Sequence, residues 1–314
     1  MLIKLTRNLS VLCIGLALSF AGLAQDAARI YIEPSGWSIG TTVGLSDLWG
    51  NIGTKSPIDH YVNSKYFDKV TFMGGMFGRY TIHPCLGVRF QVDYGSLYAT
   101  DKWNYDKAKN STNYNDDAVQ RYFRAQDAKD VVFEGTVLLE FTPLRWNPES
   151  KLAHKVAQPY IAAGVSYFHY TPYSTAGSSG RFYNTYDLDL NGQGWGAGYP
   201  SKPSQWQPAV PLAIGYRWDV GKHLNIGVEY MYRLTFTNGL DDVSGNYMTE
   251  AQYAAHLSPG NAALAYEIAN KNTFIYGINN TPGTLRGNSS NDGYSTLSVT
   301  FYYKVLSRAR EWWH

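Results

Sequence analysis

The 314-residue sequence predicts an all-β fold, an eight-stranded antiparallel up-and-down transmembrane β-barrel with long extracellular loops and short periplasmic turns. Three observations carry that expectation. Apolar residues alternate with polar ones in eight separate runs, the mark of strands with two unlike faces. The connections between runs alternate strictly between short and long, as in outer-membrane barrels. The composition is rich in Tyr (26), Trp (9) and Gly (30), and only 17% of residues are charged. Mean hydropathy is negative, which excludes a polytopic helical membrane protein.

The chain opens with an export signal. Lys4 and Arg7 precede an apolar run over residues 9–20, and Gly22-Leu23-Ala24 presents small residues at the positions a signal peptidase reads. Cleavage is expected between Ala24 and Gln25, which leaves 25–314 as one barrel domain. The run is too short for the roughly 20 apolar residues of a spanning helix. Lys4 and Arg7 leave with the signal, so 25 basic side chains then balance 25 acidic ones. A neutral chain gives no case for nucleic-acid binding. Cys85 is the one cysteine left, so no disulfide can form within the mature chain. No CxxC or HExxH spacing occurs, and no metal or cofactor is expected.

The runs follow in order. Residues 37–45 set Trp37, Ile39, Val43 and Leu45 against Ser38, Gly40, Thr42 and Gly44. The second run spans 70–82. In 86–98, Val88, Phe90, Val92 and Tyr94 oppose Arg89, Gln91 and Asp93. In 129–142, Val131, Phe133, Val137, Leu139 and Phe141 oppose Glu134, Thr136 and Glu140. The fifth run, 160–170, carries Ile161, Ala163, Val165 and Tyr167, and the sixth, 208–219, Val210, Leu212, Ile214, Tyr216 and Trp218. The seventh is the clearest, with Leu224, Ile226, Val228, Tyr230, Tyr232, Leu234 and Phe236 against Asn225, Glu229, Arg233 and Thr235. In 294–305, Leu297, Val299, Phe301 and Tyr303 oppose Thr296, Ser298, Thr300 and Tyr302. An even strand count places both ends of the barrel on the short-turn side, the periplasm. A soluble sandwich shares the alternation, but its apolar faces do not end in aromatic girdles such as Trp37, Tyr80, Phe141, Trp218 and Phe236.

With the polar faces inward, the lumen holds Arg79, Arg89, Arg217 and Arg233 beside Asp93, Glu134, Glu140 and Glu229. An eight-stranded barrel is only wide enough for side chains to fill it. Unpaired charge there is costly, so four cations against four anions predict a closed ion-pair plug rather than a conducting pore. No GxSxG occurs, and His154, His169 and His223 are scattered between the two ends. Asp241-Asp242 admits two readings, a catalytic acid pair or carboxylates that cap a loop turn. The fourth long loop has helix-forming stretches, 251–256 and 262–270, with Thr249 and Gln252 placed as a capping box. Gly192-Gln193-Gly194-Trp195-Gly196 and Trp206 put aromatics in the third, as protein contacts or as a cover for the mouth. After the last strand, 306–314 is a short basic and aromatic tail.

Residues 230–247, YMYRLTFTNGLDDVSGNY, resemble the YR-x-TFTDYLDDVS-x-x-Y segment of PorG-like proteins of the type IX secretion system. The resemblance extends to residues 210–230, to 73–101, to LEFTPL at 139–144 and to Arg286-Gly287, nearly the whole mature chain. Its most specific part is Leu240, Asp241, Asp242, Val243 and Ser244; Asn238 and Gly239 stand where the family has Asp and Tyr. The resemblance implies a non-enzymatic outer-membrane protein of Bacteroidota, set in outer-membrane lipid. Its implied role is to anchor or stabilise a periplasmic ring of a PorK-like lipoprotein and a PorN-like protein. The periplasmic face offers Arg145, Trp146, Lys151, Lys155, Lys222, Arg308, Arg310, Trp312 and Trp313 for docking. A small porin or ligand-binding barrel is the alternative function.

Overall fold

A computed structural model describes residues 36–54, 59–177, 179–221 and 223–305. Ala24, Gln25, Lys222, Arg308, Arg310, Trp312 and Trp313 lie outside the described residues. Eight long strands form the barrel: β1 (Gly36–Trp49), β2 (Thr71–His83), β3 (Leu86–Thr100), β4 (Asp127–Phe141), β5 (Ala157–Thr175), β6 (Trp206–Asp219), β7 (Leu224–Thr235) and β8 (Gly293–Lys304). Each pairs antiparallel with its neighbours in sequence. The β1–β8 ladder, running from Ser38 opposite Lys304 to Trp49 opposite Gly293, closes the sheet. Closure leaves no strand edge to be satisfied by water, which hydrocarbon could not supply. The seam is tight: a Cβ on Gly44 would fall 2.3 Å from the Leu297 carbonyl oxygen, so only glycine fits there.

The alternating pattern determines which way each side chain faces, because successive Cβ atoms leave opposite sides of the sheet. Outward stand Ile39, Val43, Met76, Val92, Val137, Ile161, Val165, Ile214 and Val228, with Met76 71% exposed and Val165 65%. Aromatics mark both ends of this belt. At the short-turn end Trp37 meets Tyr80 at 5.3 Å and Tyr216 meets Trp218 at 4.9 Å. At the long-loop end Tyr167 stacks on Trp206 and Trp49 meets Tyr232 edge-on. A continuous apolar surface of this kind is far larger than soluble monomers expose. Between aromatic girdles it matches a bilayer.

The strands reach further than the alternation suggests, chiefly toward the long loops. Those loops carry structure that periodicity did not mark: α1 (Asp117–Arg124) and three short strands at Phe182–Asn184, Gly245–Asn246 and Leu285–Gly287. The fourth loop contains α2 (Glu250–His256), α3 (Pro259–Ala269) and α4 (Lys271–Tyr276). Thr249 caps α2 through its hydroxyl while Gln252 returns a bond to the Thr249 backbone. The break at Ser258 is where Pro259 takes the first position of α3, a site that needs no N–H.

Candidate functional site

The lumen is filled by two charged layers with apolar layers above each. Nearest the short turns, Glu140 is the hub: Arg79 Nε donates to it at 2.5 Å, with Arg89 at 3.3 Å and Arg217 at 3.4 Å. Arg89 turns its other end to Glu229 at 2.7 Å, and the Tyr160 hydroxyl donates to the same carboxylate at 2.9 Å. Tyr160 and Tyr302 lie under the Arg217 guanidinium, and Phe77 under that of Arg89. Leu138, Ala162, Ala213 and Met231 form the apolar layer above.

The second charged layer is centred on Arg233. Its Nε reaches Glu134 at 3.2 Å, its Nη2 lies 3.8 Å from Asp93, and it sits over the Tyr294 ring. Asp93 and Glu134 face each other across β3 and β4, so a cation between them is required by their register. The Tyr294 hydroxyl donates to Glu134, and Gln91 and Thr42 donate to Asp93. The lower layer has three arginines to two glutamates and the upper one arginine to two acids, so each offsets the other. All eight lumen charges are buried.

Above them an apolar plug of Met73, Leu97, Val132, Phe168, Leu240, Val243 and neighbours closes the mouth. Leu240 and Val243 come from the fourth long loop, so the loop itself reaches down to seal the barrel. Asp241 and Asp242 between them are buried too. Asp241 accepts the backbone N–H of Asn51 at 2.5 Å and that of Val243 at 2.8 Å. Asp242 accepts from Asn191 and Gln193 of the third loop at 3.0 and 2.9 Å. Arg286 donates to Asn191 and to the Asp242 carbonyl. Arg124 of α1 holds Asp101 with two bonds and reaches the Asn51 and Arg286 carbonyls. The first and third long loops therefore bond to residues 240–244 of the fourth, and the second is tied in through Asn51 and Arg286. Burial pushes the Asp242 carboxyl up to about 7, against the pull of Arg286. Burial likewise raises Asp241 and, further, Asp292.

Of the two readings open for the Asp pair, this geometry is that of turn and loop capping. The two carboxylates accept from backbone N–H groups and side-chain amides, donors of the capping kind. Trp195 lies flat on His256, centroids 4.4 Å apart, and packs edge-on against the buried Tyr253, so it packs the third loop against the fourth. Among the described residues no group of three or more His, Cys, Asp or Glu is arranged to hold a metal ion.

At the short-turn end the predicted docking residues part company. Trp146 is 70% exposed, and Lys151 and Lys155 are exposed on the turn between β4 and β5. That turn is pinned by Gln158, whose amide donates to the Leu152, Ala153 and Lys155 carbonyls. Arg145 must be corrected: it is fully buried and ion-paired with Asp219, which also takes Lys304 at 3.0 Å. Its charge is engaged within the rim and is not presented to a partner. Sequence reading missed Asp130, Asp219 and Lys304 as inward groups. Each shares the even or odd phase of lumen residues on its own strand, Glu134, Arg217 and Tyr302, so phase alone marks them.

A closed eight-stranded barrel, lipid-compatible outside and packed with ion pairs inside, defines an outer-membrane β-barrel protein. No protein-family model matches the chain, and no curated protein matches it. Among solved structures, Neisserial surface protein A is similar at 12% identity over 86% of this chain and 97% of that one, with a TM-score of 0.36. Ail, the attachment invasion locus protein of Yersinia pestis, is similar at 8% identity over 85% and 98%, with a TM-score of 0.34. OprG of Pseudomonas aeruginosa is similar at 10% identity over 88% and 98%, also with a TM-score of 0.34. The fold assignment rests on the barrel's own closed register.

Proposed function

We propose that this protein is a non-enzymatic outer-membrane component of a type IX protein secretion system, in which it anchors or stabilises a periplasmic ring of PorK-like and PorN-like proteins. The observation that carries the reading is the seat of the LDDVS segment. The residues most like the PorG-like family are the ones to which the first and third long loops bond, with Leu240 and Val243 sealing the barrel. A packed, charge-balanced lumen supports a scaffold role over transport through the barrel. The short-turn end faces the periplasm in this reading, and both described ends of the chain emerge there. The exposed docking surface is then Trp146 with Lys151 and Lys155. Outer-membrane lipid surrounds the belt.

The test is a crosslinked recovery of the tagged full-length protein from native outer membranes, with partners identified by mass spectrometry. Ring proteins are expected with the unaltered chain, and less of them with Trp146→Ala, Lys151→Glu and Lys155→Glu combined. Recovery of the barrel alone from intact membranes would remove the secretion reading and leave the fold standing.

A further inference from the structure

The long-loop end carries a groove that no part of the secretion reading uses. Between α1 and the segment leading into β8 lies a cavity of about 400 Å³, adjoined by a second of about 230 Å³; Asn51, Arg121 and Asn288 line both. The walls are built from planar polar side chains: Asn51, Gln120, Arg121, Asn280 and Asn288, with Phe123 at the edge.

The chemistry of these walls is specific. Arg121 uses Nε on Asp117 and Nη1 on the Asn51 and Gly53 carbonyls, so the guanidinium plane is fixed, with Nη2 making no bond within the described chain. Asn280 is held by reciprocal amide bonds with Asn272. Gln120 and Asn288 are exposed, and neither the Gln120 amide nor Asn288 Nδ2 has a hydrogen-bond partner among the described residues. Exposed amide N–H groups left unpartnered among the described residues, beside a fixed guanidinium, suit vicinal hydroxyl groups, each of which both donates and accepts. The three arginines of the lining are already engaged, which argues against an anion: Arg121 by Asp117, Arg124 by Asp101, and Arg286 by Asn191 and the Asp242 carbonyl. Beside the groove, Tyr105, Tyr122, Phe123 and Tyr276 form a connected cluster of rings with centroids 5.4–5.8 Å apart, and Tyr105 is 49% exposed. Ring faces of this kind pack against the C–H face of a pyranose.

We infer that this groove binds an uncharged saccharide, with Gln120, Arg121 and Asn288 bonding its hydroxyls and the Phe123 edge covering one sugar face. The volume suits one or two sugar units, and the adjoining cavity extends the site along a chain. The inference stands apart from the periplasmic role, since it concerns the opposite end of the barrel.

The test uses the full-length protein in detergent micelles and end-labelled soluble oligosaccharides read by fluorescence polarisation. The probes are uncharged chains of hexose, deoxyhexose and N-acetylhexosamine, with uronic-acid and sulfated chains of the same length alongside. Binding of an uncharged chain is expected, little changed by raising salt to about 0.5 M, where charge contacts are screened. Gln120→Ala with Asn288→Ala should weaken it by about tenfold; both side chains are exposed, so the barrel is retained, as checked by its heat-modifiable gel mobility. The inference is overturned by binding of the anionic chains alone with loss in salt, by binding indifferent to the double variant, or by no binding of any probe. Capture of a protein through the tyrosine cluster with no saccharide binding would overturn it as well.

Discussion

The backbone N–H of Asn51 donates to Asp241 Oδ2 at 2.5 Å and joins the first long loop to the fourth across 190 residues of chain. The second oxygen of Asp241 takes the N–H of Val243, so one buried carboxylate holds both its own turn and a distant loop. Removing it leaves two buried N–H groups without partners, at about 1–3 kcal/mol each. Asp241→Ala is therefore expected to loosen the loop cap by about 2–6 kcal/mol on that principle. Protease added to the loop side of proteoliposomes should cut the variant within the long loops and spare the parent, while the barrel keeps its heat-modifiable mobility. Equal protection of the two would remove Asp241 from this role.

Glu140 faces Arg79, Arg89 and Arg217 in a fully buried layer. Neutralising it leaves three guanidiniums with one fewer counter-charge. Breaking a buried pair from one side costs about 3–5 kcal/mol. Glu140→Gln should lower the urea midpoint of the barrel in lipid bilayers accordingly. The unaltered barrel should show no steady ion conductance in planar bilayers, because its lumen charges are buried and paired and an apolar cluster closes the mouth. Ohmic conductance of the parent protein would restore the small-porin reading.

The cap should weaken as pH rises. Asp242 is pushed up to about 7 by burial, well above the ordinary carboxylate value it has when unfolded, and Asp241 and Asp292 move the same way. A folded state that holds protons the unfolded state has released is favoured at low pH. The stabilisation is complete below about pH 4, the unfolded value, and is lost as pH climbs through about 7. Each such group contributes a slope of up to about 1.4 kcal/mol per pH unit in that window. Hydrogen exchange of residues 240–244 should be slower at pH 5 than at pH 8 once the intrinsic rate change is corrected. Asp242→Asn should flatten the difference; an identical profile would assign the effect elsewhere.

Ile214 stands 62% exposed in the middle of the apolar belt. In water an arginine there would be nearly neutral. In a bilayer it costs about 2–4 kcal/mol near the midplane. Ile214→Arg should therefore reduce the folding free energy measured in lipid vesicles by that amount, and an unchanged value would argue that this face does not meet hydrocarbon.

Much of the molecule was legible in the residue order, and the reason is local. The period of two is a property of the extended chain itself, so the strand count, the lipid-facing Ile214 and Val228 and the inward Arg233 and Glu229 all follow from phase within a single run. Thr249 and Gln252 marked the start of α2 for the same reason, since a capping box spans one turn. The buried state of Arg145 was not legible, because Asp219 reaches it from the end of another strand and is itself held there by Lys304 from a third.

The sequence by itself determined an eight-stranded barrel with a charge-balanced interior, because alternation and net charge need no long-range information. Only the tertiary structure decided which lumen charges meet, with Glu140 gathering three arginines while Arg233 stands between two acids. It also decided that the LDDVS segment is the keystone of the cap. Strand register and loop closure bring Asn51, Gln193, Asp241 and Arg286 to one place, and that convergence depends on how the sheet closes, which no local pattern encodes.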